Sequence, residues 1–446
     1  MKFRYLAIAA ACAAIAGQAH AATGVMTAAQ ANAAQLKLFI SGSSALQKVI
    51  EGVLTQNCGT DKVQFKSQYG SAAAPSDTTN GNSHNIYACT LTGNDFGTAN
   101  VGKTIMLVKR EAGGSAYGVF PVAANTVVPF MDISTCSDAA ATCTGLVSVK
   151  PDAGVSDLEP AAFNSAVNRP VAFGTQTVVA SQFASSGAVA EQVFGLVVNA
   201  NLYAALLADQ GLTTPSVPSV SSAAFTSLYI AGAGQSGLGW APLLSSGNVT
   251  SQVNICARAL GSGTRASAQL QFLQSPSNIF PLSFANPAVD NSTGAVKGAV
   301  ADSAYFVSEE SSSGNVIACV QAANATGAYS IGMVSVDRDM STYAGAYIVK
   351  LDNQTANSSA AKNGQYPWVF EAFYNVNKTA PNLAIAKAFG TAFALPININ
   401  AISAAAKNGV MATPENCQGD GSAAEVAVCS RVSRNQDSRQ PLVFIR

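Results

Sequence analysis

Short stretches with the apolar periodicity of β-strands alternate with helix-like stretches along this chain. Residues 253–257 alternate as a strand does, and Ala266, Leu270 and Leu273 then recur at helical spacing. Residues 36–40 form another apolar stretch, and the apolar positions within residues 46–54 then mark one face of a helix. Strands that alternate with helices in this way predict an α/β fold.

Loops rich in glycine and serine follow several of these strands. Four of them lie at residues 41–44, 111–118, 153–160 and 258–264. Small residues let a backbone approach a ligand closely, and the first N–H groups of a helix have no partner inside that helix. In the fourth loop Arg258 adds a planar set of N–H donors. This loop therefore predicts a site for a tetrahedral oxyanion such as phosphate, with a plain turn and a surface arginine as the alternative.

Asp157 in the third loop has two possible roles. It either caps the helix that Pro160 begins, or it faces an oxyanion. An ionised carboxylate accepts hydrogen bonds and cannot donate them. Hydrogen phosphate carries a proton that it can donate to Asp157, whereas sulfate has none and is repelled. An aspartate in the pocket therefore predicts selection of phosphate over sulfate. Ser44 in the first loop is similarly either a helix cap or an anion ligand.

The first 21 residues have the three parts of a secretory signal peptide. Lys2 and Arg4 give a positive start, residues 6–17 are apolar, and residues 19–21 fit a cleavage site. The apolar run is too short to span a membrane. We therefore expect cleavage after Ala21 and a periplasmic or secreted chain of about 425 residues, which is long enough for two domains.

Without the predicted signal peptide the chain is close to neutral. The whole sequence has 24 basic and 24 acidic residues, and loss of Lys2 and Arg4 leaves 22 basic residues. Binding to nucleic acid or to a membrane surface requires a basic excess. The composition therefore argues against a nucleic-acid partner.

The cysteine count predicts disulfides. The sequence has nine cysteines, and Cys12 lies in the predicted signal peptide, which leaves eight. An even count in an exported chain favours disulfides, and no pair has the C-x-x-C spacing of a metal site. Eight cysteines allow 105 pairings, of which nearest-neighbour pairing is the simplest. That pairing joins Cys58 to Cys89, Cys136 to Cys143, Cys256 to Cys319, and Cys417 to Cys429.

Candidate catalytic residues are scarce. His84 is the one histidine outside the predicted signal peptide, and its polar surroundings at residues 80–85 predict a solvated loop residue. A Ser-His-Asp hydrolase would depend on His84 alone, and the G-x-S-x-G motif of many hydrolases is absent. We therefore expect neither a catalytic centre nor a metal or other cofactor.

Residues 232–237 match the dinucleotide motif G-x-G-x-x-G after the strand-like residues 228–230. The motif requires a helix next and an acidic residue about 20 residues later. Residues 239–242 read Gly-Trp-Ala-Pro instead, and no acidic residue lies near position 257. We interpret the match as accidental.

The four loops together resemble the periplasmic phosphate-binding protein of phosphate ABC transporters, which has the type II solute-binding fold. The most specific match is the fourth loop, which reads R-x-x-G-S-G-T from Arg258 to Thr264. Residues 193–199 and 366–376 resemble the family's two crossing strands, and residues 329–334 resemble its Gly-Ile-Gly-Tyr-type segment. The resemblance touches most of the chain in separate islands.

The resemblance implies a set of phosphate contacts from all four loops. Arg258 supplies a guanidinium group, and Asp157 of the Ser-Asp motif takes the phosphate proton. The other implied contacts are hydroxyl or amide groups of Ser44, Ala45, Ser115, Ser262, Gly263 and Thr264.

The resemblance also implies the architecture and the partners. Residues 23–192 and 376–446 would form lobe 1, residues 193–375 would form lobe 2, and phosphate would bind between them. The expected protein is a monomer that binds without catalysis and delivers phosphate to an ABC transporter permease. The chain is longer than typical members, and the extra length lies at residues 58–89, 136–143 and 352–364 and beyond residue 410. We expect residues 58–100 to form an excursion outside the core that disulfides hold in place.

Three alternatives remain open at the level of sequence. One is a binder of another oxyanion, such as sulfate, a phosphonate or a phosphate ester. Another is a secreted phosphatase or other hydrolase. The third is a surface or matrix protein that binds a partner through its insertions.

Overall fold

A computed structural model describes residues 24–67, 84–231, 239–273, 305–417, 419 and 421–445. The predicted signal peptide and the motif at residues 232–237 lie outside the described residues.

The described residues form strands and helices that alternate along most of the chain. The strands are β1 (Leu36–Gly42), β2 (Val63–Ser67), β3 (His84–Thr90), β4 (Thr104–Arg110), β5 (Val128–Met131), β6 (Cys136–Ser137), β7 (Thr142–Cys143), β8 (Leu146–Val149), β9 (Ala153–Ser156), β10 (Phe183–Asn199), β11 (Ser219–Val220), β12 (Val253–Arg258), β13 (Tyr305–Glu310), β14 (Ser330–Ser335), β15 (Ala346–Leu351), β16 (Val369–Asn377), β17 (Val410–Met411), β18 (Val432–Ser433) and β19 (Val443–Phe444). The α-helices are α1 (Ala28–Asn32), α2 (Gln47–Asn57), α3 (Phe120–Ala124), α4 (Ala200–Asp209), α5 (Ser222–Ala231), α6 (Gly263–Leu273), α7 (Ser313–Ala322), α8 (Ser358–Ala361), α9 (Leu383–Ala394), α10 (Pro396–Asn400), α11 (Ala404–Lys407) and α12 (Ala423–Val428).

Two long antiparallel strands, β10 and β16, lie in the middle of the sheet. On one side the order continues β9-β1-β4-β3-β2-β7-β6, which we call the first half-sheet. On the other side it continues β14-β12-β13, the second half-sheet. The predicted α/β fold with two crossing strands is confirmed.

Strand β10 changes partners part-way along its length. Its residues from Phe183 to Val193 pair with β16, and those from Phe194 to Asn199 pair with β14 and β15. One continuous strand therefore belongs to both half-sheets. The lobe bounds at 192/193 and 375/376 stay a prediction.

Parallel pairing brings the candidate loops together. Strand β1 pairs in parallel with β4 and with β9, so the loops that follow Gly42, Arg110 and Ser156 leave the same edge of the first half-sheet. In the second half-sheet β12 pairs in parallel with β13 and β14. The carboxyl ends of parallel strands are the usual place for a ligand in an open α/β sheet.

The prediction that residues 58–100 form an excursion outside the core is wrong for the part that the structure describes, residues 58–67 and 84–100. Strand β3 is buried along almost its whole length and pairs with β4 from His84↔Arg110 to Thr90↔Thr104. Strand β2 pairs with β3 on its other side. The residues at the ends of β3 are polar and therefore suggest a loop, but β3 is a buried strand that pairs with a neighbour on each side.

The expectation of a solvated His84 is wrong for the same reason. His84 begins β3 opposite Arg110 and is only 1% exposed. The prediction of a strand at residues 228–230 is also wrong, since these residues lie within helix α5.

The nearest-neighbour disulfide pairing is confirmed. Cysteines 58 and 89, 136 and 143, 256 and 319, and 417 and 429 are bonded in pairs. The Cys256–Cys319 bond joins β12 to α7, so it ties together two elements that flank the Arg258 loop.

Two glutamates face each other on the crossing strands. Glu191 on β10 and Glu371 on β16 are direct cross-strand partners and are 1% and 4% exposed. The Ser433 hydroxyl and the Arg434 N–H each donate to Glu371 Oε1 at 2.6 Å. The Arg434 guanidinium also donates to Gln271 Oε1 on α6 at 3.1 Å. The C-terminal segment thus covers the crossing strands and reaches the helix of the candidate site.

We expect Glu191 to make stability fall as pH rises. Burial raises the pKa of Glu191 well above its usual range, and the charge of Glu371 raises it further. Between about pH 4.3 and that raised pKa, the folded chain holds a proton at Glu191 that the unfolded chain has released. The free energy of unfolding therefore falls as pH rises through this window and stays low above it.

Glu191→Gln should raise the melting temperature at pH 8 by about 2–4 °C or more, because glutamine stays neutral in both the folded and the unfolded chain and keeps the side-chain shape. Circular dichroism melts at pH 4 and pH 8 measure this. The two proteins should melt close together at pH 4, where Glu191 is largely protonated in the folded and the unfolded chain alike. A variant that melts at or below the wild-type temperature at pH 8 would contradict the assignment.

Candidate functional site

Strand β12, a tight loop and helix α6 form the core of the candidate site. The loop turns at Gly261, whose φ of +88° favours glycine. A Cβ there would also lie 2.6 Å from Pro170 Cγ. The Ser262 hydroxyl accepts a 3.4 Å hydrogen bond from the Arg265 N–H, as an N-cap residue does. The predicted strand–loop–helix order is therefore present, and the N-terminus of α6 lies at this loop.

Arg258 is buried at the end of β12. Its Nη1 donates to Thr264 Oγ1 and to Ser313 Oγ, both at 3.1 Å, and its Nη2 donates to the Ser311 carbonyl at 3.1 Å. No acceptor for its Nε lies within hydrogen-bond reach among the described residues. The alternative of a surface arginine is wrong, because Arg258 is only 3% exposed.

Asp157 meets the start of α6 from the opposite half-sheet. The Ser43 hydroxyl donates to Asp157 Oδ1, and the Asp157 N–H donates to Ser115 Oγ at 3.1 Å. A Cβ on Gly263 would lie 2.4 Å from Asp157 Oδ2 and 2.5 Å from Ser115 Oγ. Only glycine at position 263 lets these groups come so close. The helix-cap alternative for Asp157 is wrong, because the short helix Pro160–Asn164 has Glu159 at its N-cap position.

Burial shifts the pKa values of both charged groups in the direction of their neutral forms. It raises the pKa of Asp157 to about 6, although the Ser43 hydroxyl and the Arg258 charge oppose this rise. It lowers the pKa of Arg258 to about 10, and the Asp157 charge opposes that fall. Each group therefore stabilises the charge of the other, and both are ionised at pH 7.5.

The first loop presents a serine that the sequence analysis missed. The Ser43 hydroxyl contacts Asp157 and also accepts the Ala45 N–H at 3.0 Å, so that amide is already bonded. Ser44 lines a neighbouring cavity instead. Two adjacent serines were visible in the sequence, but which of them faces the pocket depends on the loop conformation.

A buried lysine, Lys109, holds the first loop in place through hydrogen bonds to its backbone carbonyls. Lys109 Nζ donates to the carbonyls of Gly42, Ser43 and Arg110 at 2.8, 2.9 and 3.0 Å. Burial lowers the pKa of Lys109 to about 8. The available sequence signal was a basic pair, Lys109 and Arg110, at the end of an otherwise apolar strand.

The second and fourth loops touch directly. The Ala116 N–H donates to the Gly261 carbonyl at 2.9 Å. Gly114 lies so close to the fourth loop that a Cβ there would be only 3.1 Å from Ser262 Cα. These contacts connect the two half-sheets and hold the site in a closed arrangement.

A buried ion pair, which the sequence analysis also missed, supports the fourth loop. Arg265 Nη1 lies 2.9 Å from Glu309 Oε1, and both side chains are less than 5% exposed. The same Nη1 donates to the Arg258 carbonyl at 3.1 Å, and Glu309 Oε1 accepts the Leu260 N–H at 3.2 Å. No local pattern links residues that lie 44 positions apart.

The described part of the chain has neither a membrane-spanning helix nor a metal cluster. None of its helices has the length and apolar character that a bilayer crossing requires. No three His, Cys, Asp or Glu side chains in these residues are grouped so that they could hold a metal ion.

No model of a known protein family matches this chain, and no curated protein matches it significantly. Among solved structures, it is similar to a putative phosphate ABC transporter substrate-binding protein with bound phosphate from Clostridium perfringens. The identity is 12%, the match covers 84% of this chain and 98% of that one, and the TM-score is 0.42. An ABC-type phosphate transport receptor from Vibrio cholerae is 11% identical over 80% of this chain and 92% of its own, with a TM-score of 0.37. Similarities this distant do not assign the chain to a family.

Arg265→Ala should destabilise the protein strongly, because it leaves the Glu309 carboxylate buried without its cation. The expected loss in free energy of unfolding is about 3–5 kcal/mol, measured by urea denaturation. Lys48→Ala is the matched control, since Lys48 pairs with Glu51 at 2.8 Å on the surface. That change should cost less than about 1 kcal/mol. Equal losses for the two variants would show that the buried pair does not support the loop.

Proposed function

We propose that this protein binds one inorganic phosphate ion between its two half-sheets. The observation that carries this proposal is the meeting of three features in one buried place. These are the Arg258 guanidinium, the N-terminus of α6 at Gly263, and the Asp157 carboxylate from the opposite half-sheet. A guanidinium and free helical N–H groups stabilise an oxyanion.

The surrounding hydroxyl groups fit the same ligand. Ser43, Ser115 and Thr264 each place a side-chain oxygen within hydrogen-bond distance of Asp157 or Arg258. A hydroxyl both donates and accepts, so these groups can turn from their present partners to the oxygens of an anion. In this proposal Ser262, Gly263 and Thr264 contribute groups from the start of α6. The predicted contacts from Ser44 and Ala45 require the first loop to turn, because the Ala45 N–H now bonds Ser43 Oγ and Ser44 lines the cavity.

Asp157 gives the proposed pocket its selectivity. The carboxylate accepts a proton-bearing oxygen of hydrogen phosphate and repels fully ionised sulfate. A site built around such a donor rejects an anion without one.

We also propose binding without catalysis, because no Ser-His pair is formed within the described residues. Among the described residues, no hydroxyl or carboxylate lies within hydrogen-bond distance of either ring nitrogen of His84. A Ser-His-Asp arrangement on His84 therefore has no support here. We further propose an exported monomer, with its signal peptide cleaved after Ala21, that delivers phosphate to an ABC transporter permease.

Arg258→Ala should weaken phosphate binding by about 100-fold, because it removes the charge and two charge-assisted hydrogen bonds. Isothermal titration calorimetry on the mature, oxidised protein after dialysis measures this. Arg258→Lys keeps the charge but loses the planar set of N–H donors, so its phosphate affinity should lie between those of the wild type and Arg258→Ala.

The control is Arg439→Ala, which removes an exposed arginine, and melting curves verify that each variant is folded. An unchanged affinity in folded Arg258→Ala protein would refute the proposed pocket.

Asp157→Asn should reduce the preference for phosphate over sulfate by at least about tenfold, because the amide donates to an oxygen that carries no proton. The wild-type preference should also fall as pH drops below about 6, where Asp157 becomes protonated and donates in the same way. Titrations with both anions at pH 5 and pH 7.5 test this. A preference that does not change with pH in the wild type, or that persists in the variant, would exclude Asp157 as the selecting group.

A further inference from the structure

A large cavity adjoins the proposed phosphate pocket. Its volume is about 940 Å³, which lies in the range of sites for small organic ligands. It is lined by residues of both half-sheets, among them Ser44, His84, Glu111, Ser312, Asp337 and Arg338. One oxyanion would fill only a small part of this volume.

The cavity and the phosphate pocket share walls on both sides. In the first loop, Ser43 contacts Asp157 while the adjacent Ser44 lines the cavity. Across the cleft, Arg258 bonds the Ser311 carbonyl and the Ser313 hydroxyl, and Ser312 between them lines the cavity. A group attached to a phosphate at Arg258 would therefore extend into the cavity.

Several buried polar atoms on the cavity residues have no partner among the described residues. They are Nδ1 and Nε2 of His84, Oε1 of Glu111, Oδ1 of Asp337 and Nε of Arg338. His84 and Asp337 are only 1% and 5% exposed. Buried polar atoms are nearly always hydrogen-bonded, so these atoms are placed to bond a molecule that enters the cavity.

These atoms define the chemistry of that occupant. The carboxylate oxygens of Glu111 and Asp337 require donors, whereas Arg338 Nε requires an acceptor. Burial and the charges of Arg110 and Lys109 lower the pKa of His84, so its neutral ring offers one donor and one acceptor. A hydroxyl group is both donor and acceptor, and several hydroxyl groups on one molecule satisfy the whole set.

We propose that the preferred ligand is a phosphomonoester with a polyhydroxylated organic part, such as a sugar phosphate. Its phosphoryl group would bind at Arg258 and Asp157, and its hydroxyl groups would meet His84, Glu111, Asp337 and Arg338 in the cavity. This inference rests on the proposed function, because the same pocket binds the phosphoryl group. A singly protonated phosphomonoester still carries the O–H that Asp157 accepts.

Calorimetric titration of the mature, oxidised protein tests this with inorganic phosphate, glucose 6-phosphate, butyl phosphate and glucose. Glucose 6-phosphate should bind at least about tenfold more tightly than butyl phosphate, which has the same phosphoryl group and no hydroxyl groups. Glucose alone should give no binding signal, because it lacks the charged anchor.

At pH 8, Glu111→Gln should lower the ratio of glucose 6-phosphate affinity to inorganic phosphate affinity by about tenfold, because burial raises the pKa of Glu111 to about 7 and the carboxylate present at pH 8 accepts ligand hydroxyl groups on both of its oxygens. Glu191→Gln is the matched control, since it makes the same change at a buried glutamate that lies outside the cavity, and its ratio should equal that of the wild type.

Each outcome separates the two proposals. Equal affinities for glucose 6-phosphate and butyl phosphate, or tight binding of inorganic phosphate with no binding of either ester, would overturn this inference and leave the proposed function intact. An unchanged ratio in folded Glu111→Gln protein would remove Glu111 from the site and contradict the assignment of the cavity. If no phosphate-bearing ligand binds, the proposed function fails, and this inference fails with it.

Discussion

The site depends on one buried pair of opposite charges that belong to different half-sheets. Asp157 and Arg258 are both almost fully buried, and burial alone drives each of them towards its neutral form. Their mutual attraction and the hydroxyl groups around them oppose that tendency. Because a buried charge without a partner is costly, the loops that carry Ser43, Ser115 and Thr264 must stay close to the pair. The backbone hydrogen bond from Ala116 to Gly261 also holds these loops together.

The crossing strands explain how two half-sheets remain in register around this pair. Strand β10 is hydrogen-bonded to both half-sheets, so a change in the angle between them must bend a single strand near the switch from Val193 to Phe194. The C-terminal segment limits that bending, because Arg434 bonds Val369 and Pro367 near the start of β16 as well as Gln271 on α6. The C-terminal segment therefore has a mechanical connection to the site.

Local pattern was enough to predict some features and not others. The apolar alternation before Arg258 and the helical spacing after it are properties of neighbouring residues, and the loop between them was predicted correctly. The choice between Ser43 and Ser44 depends on loop torsions, and the pairing of Arg265 with Glu309 depends on strands that are distant in sequence. His84 was misjudged because its polar neighbours suggest solvent, whereas pairing of β3 with β4 buries it. Tertiary contact overrode local composition in each of these cases.

The proposed phosphate pocket and the adjoining cavity differ in how their polar groups are satisfied. In the pocket, Asp157 and Arg258 already have hydroxyl and carbonyl partners, so a ligand must replace those bonds with stronger ones. A charged oxyanion can do this, because charge-assisted bonds are roughly twice as strong as neutral ones. In the cavity, Glu111 Oε1 and Asp337 Oδ1 lack partners among the described residues, so even neutral hydroxyl groups would bring a net gain. In the two proposals taken together, the phosphoryl group secures the ligand, and the cavity distinguishes one phosphorylated ligand from another.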